Sequence, residues 1–449
     1  MKTMDPLDQY LAGEISSVKL IEDCLEVIAR RNDDLGALTH VDADRALDAA
    51  RMADMRRARN QSLGVLDGVP MSVKANIAVA DWPHTAGMRT RYSARAERDA
   101  YVIARARDAG LIPLCQSNMD EAALGADGVN PWFLTTDNPR LAGYCAGGSS
   151  AGAAAALASG MCHVAIGTDT IGSVRIPAAF CSVAALKPTF GLVSTANVVP
   201  VHLRFDHVGP MTREVRHLSA VTAAIAGFDR SWPWSFPVNQ TEMLRNTRPR
   251  LGVATGLDQL MTSGPVSTSF AAVVDRLRSR DCELLPFDLA PFDLPGLRRA
   301  ILTLCERSMW REHGTAIGNQ PQEYSDRLRA FIRAGGQLSD DELTRCEEKI
   351  ARFHGAWLER FQHLDALLLP AVATATYPRG ARPPQNTADL TAPASATGQP
   401  ALVVPMPRAA GSPPAGLQII GPMGSDFALP RLLDGLGLAD PLSDIPRPH

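Results

Sequence analysis

Between Pro6 and about Arg59, apolar positions (Leu7, Tyr10 and Leu11, then Val18, Ile21, Leu25 and Ile28) recur at three- and four-residue intervals with charges between them. That spacing predicts amphipathic helix. Leu66 to Ala80 (LDGVPMSVKANIAVA) changes to a short turn and β-branched alternation, which predicts a strand. A helix from about Asp99 to Gly110 then leads into a second strand at Leu111-Ile112-Pro113-Leu114. Two strands with a helix between them predict a β-α-β unit in a largely parallel sheet. Gly143 to Gly160 (GYCAGGSSAGAAAALASG) holds fifteen Gly, Ala or Ser among eighteen residues, a helix that neighbouring backbone can approach closely. Beyond it the chain reads as a strand (His163 to Ile166), a loop (Gly167 to Ser173) and another strand (Val183 to Leu186). From about Gly227 the texture shifts. Trp232-Pro233-Trp234 reads as loop, Leu251 to Ala254 as strand, and Ser269–Arg280, Glu306–Arg311 and Asp340–Phe361 as helix. The Pro-rich stretch Tyr377 to Pro414 shows little regular pattern beyond Ala401 to Val404, and no repeat of fixed period occurs.

The 449 residues carry 45 Lys+Arg against 48 Asp+Glu, a formal net charge of −3, with 45% hydrophobic and 21% charged residues. This balance excludes a disordered chain and supplies no electrostatic reason for nucleic acid or a membrane as partner. Gly (35) and Pro (33) together predict a loop-rich fold. No run approaches the about 18 apolar residues of a membrane span. The N-terminal MKTMDPLDQY carries acids where a signal peptide needs an apolar core. The eight cysteines are scattered without a C-x-x-C, which suits reduced thiols and argues against zinc or a disulfide framework. The expectation is a cytoplasmic protein. Its length admits two or three domains or one large α/β domain.

Two loops stand out chemically, Gly147-Gly148-Ser149-Ser150 and Gly167-Thr168-Asp169-Thr170-Ile171-Gly172-Ser173. Each places hydroxyls and backbone N–H groups at a loop or helix start, where an anion can be stabilised; the plain alternative for each serine is an N-cap. Neither has the Walker spacing of a phosphate loop. Gly148-Ser149-Ser150-Ala151-Gly152 matches the G-x-S-x-G elbow, with Asp206-His207 as conceivable triad partners, but the elbow needs a preceding strand and RLAGYCA makes a poor one. Ser16-Ser17-Val18-Lys19 fits S-x-x-K on a helix that reads as exposed, and is read as coincidence. Lys74, within an apolar strand, is either edge-facing or a buried base. The second use requires burial to lower its pKa from about 10.4 by roughly 3 units.

Taken together, these segments resemble the amidase signature family. The likeness runs through Val73-Lys74, Asn118-Met119-Asp120-Glu121, Gly147 to Gly152, Gly167 to Cys181, Leu186 to Gly191, Asp206 to Pro210 and Gly416-Leu417-Gln418. The resemblance implies one α/β domain spanning 1–449, a large mixed twisted sheet covered by helices on both faces. Within it, 5–226 would be the catalytic framework, 227–414 a variable substrate-side region, and 415–433 a return to the core. It further implies a Ser–Ser–Lys triad, with Ser173 as nucleophile, Ser149 (after a cis peptide bond) as bridging serine and Lys74 as base. Backbone N–H groups of Thr170, Ile171, Gly172 and Ser173 would hold the oxyanion. No metal or organic cofactor is required. The implied substrate is a small molecule with a linear carbon–nitrogen bond, an amide or a carbamate or biuret-like group. Family members are often homodimers, and no interface is legible in this chain.

Four residues depart from the family pattern: Ala75 where Asp is common, Ile171 where Gly is common, and Ala151 and Ala153 at small Gly/Ser positions. None removes a triad side chain. A β-branched residue at 171 predicts negative φ there, with the sec-butyl group either in the core or facing substrate. Two other functions compete with a free-standing amidohydrolase. One is the glutaminase-type subunit of a tRNA-dependent amidotransferase, which usually carries Gln after Ser-x-Arg where this chain has Ile176. The other is a catalytically dead binding protein, against which Lys74, Ser149 and Ser173 all stand.

Overall fold

The computed structural model describes residues 4–237, 248–260, 263–409 and 411–438. Eleven strands join one sheet: β1 (Leu38–Val41), β2 (Pro70–Lys74), β3 (Ile112–Ser117), β4 (Val164–Asp169), β5 (Ala184–Lys187), β6 (His207–Thr212), β7 (Arg250–Thr255), β8 (Glu283–Asp288), β9 (Ala366–Pro370), β10 (Ala401–Pro405) and β11 (Gly416–Ile420). Their spatial order is β1-β3-β2-β4-β6-β5-β10-β11-β9-β7-β8. Parallel pairs join β2 to β3 and β4, and β7 to β8 and β9; the other neighbours run antiparallel.

Thirteen helices accompany the sheet among the described residues: α1 (Pro6–Ala12), α2 (Ser17–Leu35), α3 (Ala43–Ala58), α4 (Tyr101–Asp108), α5 (Ala151–Ser159), α6 (Arg175–Cys181), α7 (Leu218–Ile225), α8 (Gly264–Leu277), α9 (Leu294–Asn319), α10 (Asp326–Gln337), α11 (Asp340–Phe361), α12 (Ala392–Thr397) and α13 (Ala428–Gly435). None is long and apolar enough to cross a membrane. The mixed sheet flanked by helices is the expected fold class, and β2-α4-β3 is the expected parallel β-α-β unit.

Alternation along β4 assigns the two faces. Val164 and Ile166 share a core with residues of α4 and α7, whereas Ala165 packs with α5 and α6. In the parallel register Ser72 lies beside Ala165, so Ser72 and Lys74 point to the α5 face. Every residue of α5 is buried. A Cβ on Gly152 would run into Ala37 O and Asn118 N, so glycine is what lets this helix sit against the backbone entering β1 and leaving β3.

Two expectations shift. The stretch read as helix through Arg59 is broken by β1, which exists by pairing antiparallel with β3. Gly167 to Asp169, read as loop from their composition, are the end of β4, held by cross-strand pairing with Gly209, Val208 and His207 of β6. In both, ladder pairing overrides local preference.

Candidate active site

Lys74 ends β2 and Thr168-Asp169 end the adjacent β4, so the sheet delivers them side by side at its carboxyl edge, where open α/β sheets bind ligands. Lys74 is fully buried. Its Nζ lies 2.8 Å from Ser149 Oγ, 2.8 Å from Thr168 Oγ1 and 3.4 Å from Thr168 O. Burial lowers its pKa to about 7, against the opposing pull of Asp120, Asp169 and Asp206. An ammonium with no directly bonded carboxylate is costly in such a place, and the neutral amine gains accordingly. Ser149, also fully buried, precedes α5, and the Gly148–Ser149 peptide bond is cis.

Ser173 lies beyond β4, in the turn leading into α6, and is only partly buried. Its carbonyl accepts the Ser150 N–H at 3.1 Å, tying the two loops together. No hydrogen bond of its hydroxyl is present among the described residues, so the structure joins Lys74 to Ser149 directly but not Ser149 to Ser173. Ser150, the elbow candidate, donates its hydroxyl to Thr168 O at 3.1 Å and follows no strand. Ser16 caps α2 through the Lys19 N–H, and Lys19 pairs with Asp23 on the surface.

The turn from Thr170 to Arg175 wraps around Asp169. One oxygen of this carboxylate accepts Gly172 N–H (2.7 Å) and Arg175 Nη2 (2.9 Å); the other accepts Val174 N–H (3.1 Å) and Arg175 Nε (3.0 Å). Burial pushes Asp169 up, but the Arg175 guanidinium outweighs it and holds the carboxyl below its ordinary range. Of the four N–H groups expected at an oxyanion, Gly172's is therefore taken by Asp169. Those of Thr170, Ile171 and Ser173 have no protein acceptor among the described residues. Asp206 receives the Thr170 hydroxyl at 2.6 Å and the N–H groups of Val201 and His202; burial raises its pKa to about 6. Ile171 keeps negative φ.

Ser173, Thr170 and Ile171 face a cavity of about 520 Å³. Ile176, Val201, Leu302 and Phe331 add apolar wall, and Arg298, Arg299, Glu306 and Arg327 bring charge. Each arginine has a carboxylate partner: Arg298 with Asp389 (2.6 Å), Arg299 with Glu306, and Arg327 with Asp127 (2.9 Å). Ile171 belongs to the core and borders this cavity at once. Sequence reasoning missed Thr168 as a contact of the lysine, although it lies in one of the two chemically conspicuous loops. It assigned the substrate side to 227–414 but named none of the α9 and α10 residues that wall the cavity, which no local signal marks.

The family model for amidases matches residues 19–429. The chain belongs to the amidase family. This amidase is an enzyme that hydrolyses amide C–N bonds. It is 32% identical over 460 residues to a glutamyl-tRNA(Gln) amidotransferase subunit of Chloroflexus aurantiacus, covering 94% of this chain and 93% of that one. The same subunit from Synechococcus is 28% identical over 446 residues, with 92% of each chain covered. Among solved structures, the native peptide amidase of Stenotrophomonas maltophilia superposes with a TM-score of 0.82 at 27% identity, covering 98% of this amidase and 97% of that chain.

Proposed function

We propose that this amidase cleaves linear amides through a seryl acyl-enzyme, with Ser173 as nucleophile, Ser149 as proton relay and Lys74 as base. The observation that carries the reading is Lys74 Nζ at 2.8 Å from Ser149 Oγ inside a fully buried pocket that favours the neutral amine. Neutral Lys74 takes the Ser149 proton as Ser149 takes that of Ser173, which requires the Ser173 hydroxyl to come within hydrogen-bond reach of Ser149 Oγ. Ser173 Oγ then bonds to the carbonyl carbon, and the N–H groups of Thr170, Ile171 and Ser173 hold the oxyanion. The fourth expected donor, Gly172 N–H, is engaged by Asp169 and on this reading supports the turn. Collapse breaks the C–N bond, the departing nitrogen receives the relayed proton, and water hydrolyses the acyl-enzyme.

The apolar wall around Ser173 supports an apolar acyl or aryl amide of modest size, with carbamates open to the same chemistry. Part of that wall (Arg298, Leu302, Phe331, Pro384) comes from 227–414, which supports that segment as the substrate-side region. The eight free thiols suit a reducing compartment, the cytoplasm.

The test is release of ammonia or amine from a panel of simple and aryl amides. Ser173→Ala should abolish turnover, and Ser149→Ala and Lys74→Ala should each lower it by about three orders of magnitude or more with folding intact, because a relay acts as a unit. Near-wild-type activity of Lys74→Ala at pH 7 to 9 would remove the assignment. The amidotransferase relatives favour a second reading, a glutaminase-type subunit. Ammonia released from glutamine but from no simple amide would select it.

A further inference from the structure

We infer that Thr391, more than 200 residues downstream of the nucleophile turn, is a positioning residue that keeps the Ile171 carbonyl turned away from the oxyanion. The inference rests on the reading of Ser173 above. Thr391 is fully buried at the N-terminus of α12 and meets the turn at two points. Its carbonyl accepts Arg175 Nη1 at 2.8 Å, and its hydroxyl donates to Ile171 O, a nearer acceptor than Ala388 O at 3.1 Å.

The Ile171 carbonyl and the Gly172 N–H belong to one planar trans peptide unit and point in opposite directions. Thr391 Oγ1 holds the first and Asp169 Oδ1 holds the second at 2.7 Å. That peptide unit is pinned at both ends. The pinning matters because Gly172, at φ +134°, has no side chain to resist rotation of the unit. It also has no room for one, since a Cβ there would lie 2.5 Å from Thr391 Oγ1. Without the hydroxyl, Ile171 O loses its partner in a buried place, and rotation of the unit to find another would turn it toward the cavity that Ile171 borders. A carbonyl dipole turned that way opposes the charge that the flanking N–H groups of Ile171 and Ser173 are set to stabilise.

The site around Thr391 is built for this contact. Gln418 accepts from Arg175 Nη1 (2.8 Å) and donates to Leu390 O (2.7 Å), and Ser395 Oγ accepts from Arg175 Nη2 (2.9 Å). These bonds hold residues 390–395 in register with the turn whatever stands at 391, so the hydroxyl can be removed by itself.

The experiment compares Thr391→Val, Thr391→Ala and Thr391→Ser in the full chain. On the best amide of the panel, Val and Ala should lower kcat about 10- to 100-fold while KM moves less than about threefold, smaller than the loss of an oxyanion donor itself. Ser keeps the donor and should stay within about threefold of wild type. Hydrogen–deuterium exchange of the peptide spanning 168–176 should quicken about tenfold in Val and Ala and not in Ser. Equal activity in all three, or equal impairment of Ser and Val, overturns the inference. So does unchanged exchange in Val and Ala. If the wild-type enzyme hydrolyses no amide, the nucleophile reading falls and exchange alone judges the clamp.

Discussion

The proposed base Lys74 can act only when neutral, so on that reading its surroundings set the pH at which the enzyme runs. Burial brings its pKa to about 7. The protonated fraction is inactive, so kcat/KM should rise with pH through about 7 and level off above it. Lys74→Arg should be inactive at every pH, because a guanidinium does not lose its proton in this range. A kcat/KM profile flat from pH 6 to 8 would contradict the assignment. Ile171 makes a second residue-scale prediction. Its side chain shares the core but also faces the cavity, so Ile171→Gly removes apolar surface worth roughly 1–3 kcal/mol from both. The ratio of kcat/KM for an aryl amide to that for a small polar amide should fall about tenfold. An unchanged ratio leaves Ile171 as packing alone.

Among the elements, α5 holds Ser149 and Ser150 at its head only because its body is small enough to lie on the sheet. Asn118 N–H donates to Ala37 O at 2.8 Å, and Gly152 N–H donates to Asn118 O at 3.1 Å, with no space left at the Gly152 Cα. The obstructing atoms are backbone and do not move aside as a flexible side chain does. Gly152→Ala should therefore cost about 2–3 kcal/mol in urea unfolding despite the better helix propensity of alanine. A variant within about 0.5 kcal/mol of wild type would show that the helix shifts freely. The small-residue composition that signals this helix was legible along the chain. The strand character of Gly167 to Asp169 was not, because it comes from β6, about forty residues away.

At the scale of the whole molecule, buried charge links stability to pH. Lys187 is fully buried between Pro188 O (2.9 Å) and His207 Nε2 (3.1 Å), and burial, then Arg175, lowers its pKa to about 7. The unfolded chain holds that proton up to about pH 10.4. Between these values the unfolded state binds more protons, so this group makes stability rise with pH. Raised thiols and Asp120 pull the other way, so the comparison must be with a variant that changes only the lysine. From pH 7 to pH 9, wild type should gain about 2 kcal/mol relative to Lys187→Met, whatever the offset between them. Parallel stability curves would mean that Lys187 stays charged in the folded protein.

Features carried by a few neighbouring residues were readable from the chain. Asp340–Phe361 shows its helical period in order, and the helix occupies those same bounds, started by the Ser339–Glu342 capping box. The segments holding Lys74, Ser149 and Ser173 are legible along the chain as the motifs that resemble the family. Other features exist only as contacts. The strand β1 depends on β3, the cavity wall on α9 and α10, and the hold on Ile171 O on a threonine far along the chain. The use of Gly172 N–H by Asp169 depends on how the turn closes around a carboxylate. Periodicity, capping and small-residue runs act over one or two helical turns, so composition records them. A hydrogen bond spanning more than 200 residues leaves no local trace, because its geometry arises only when the sheet brings its two ends together.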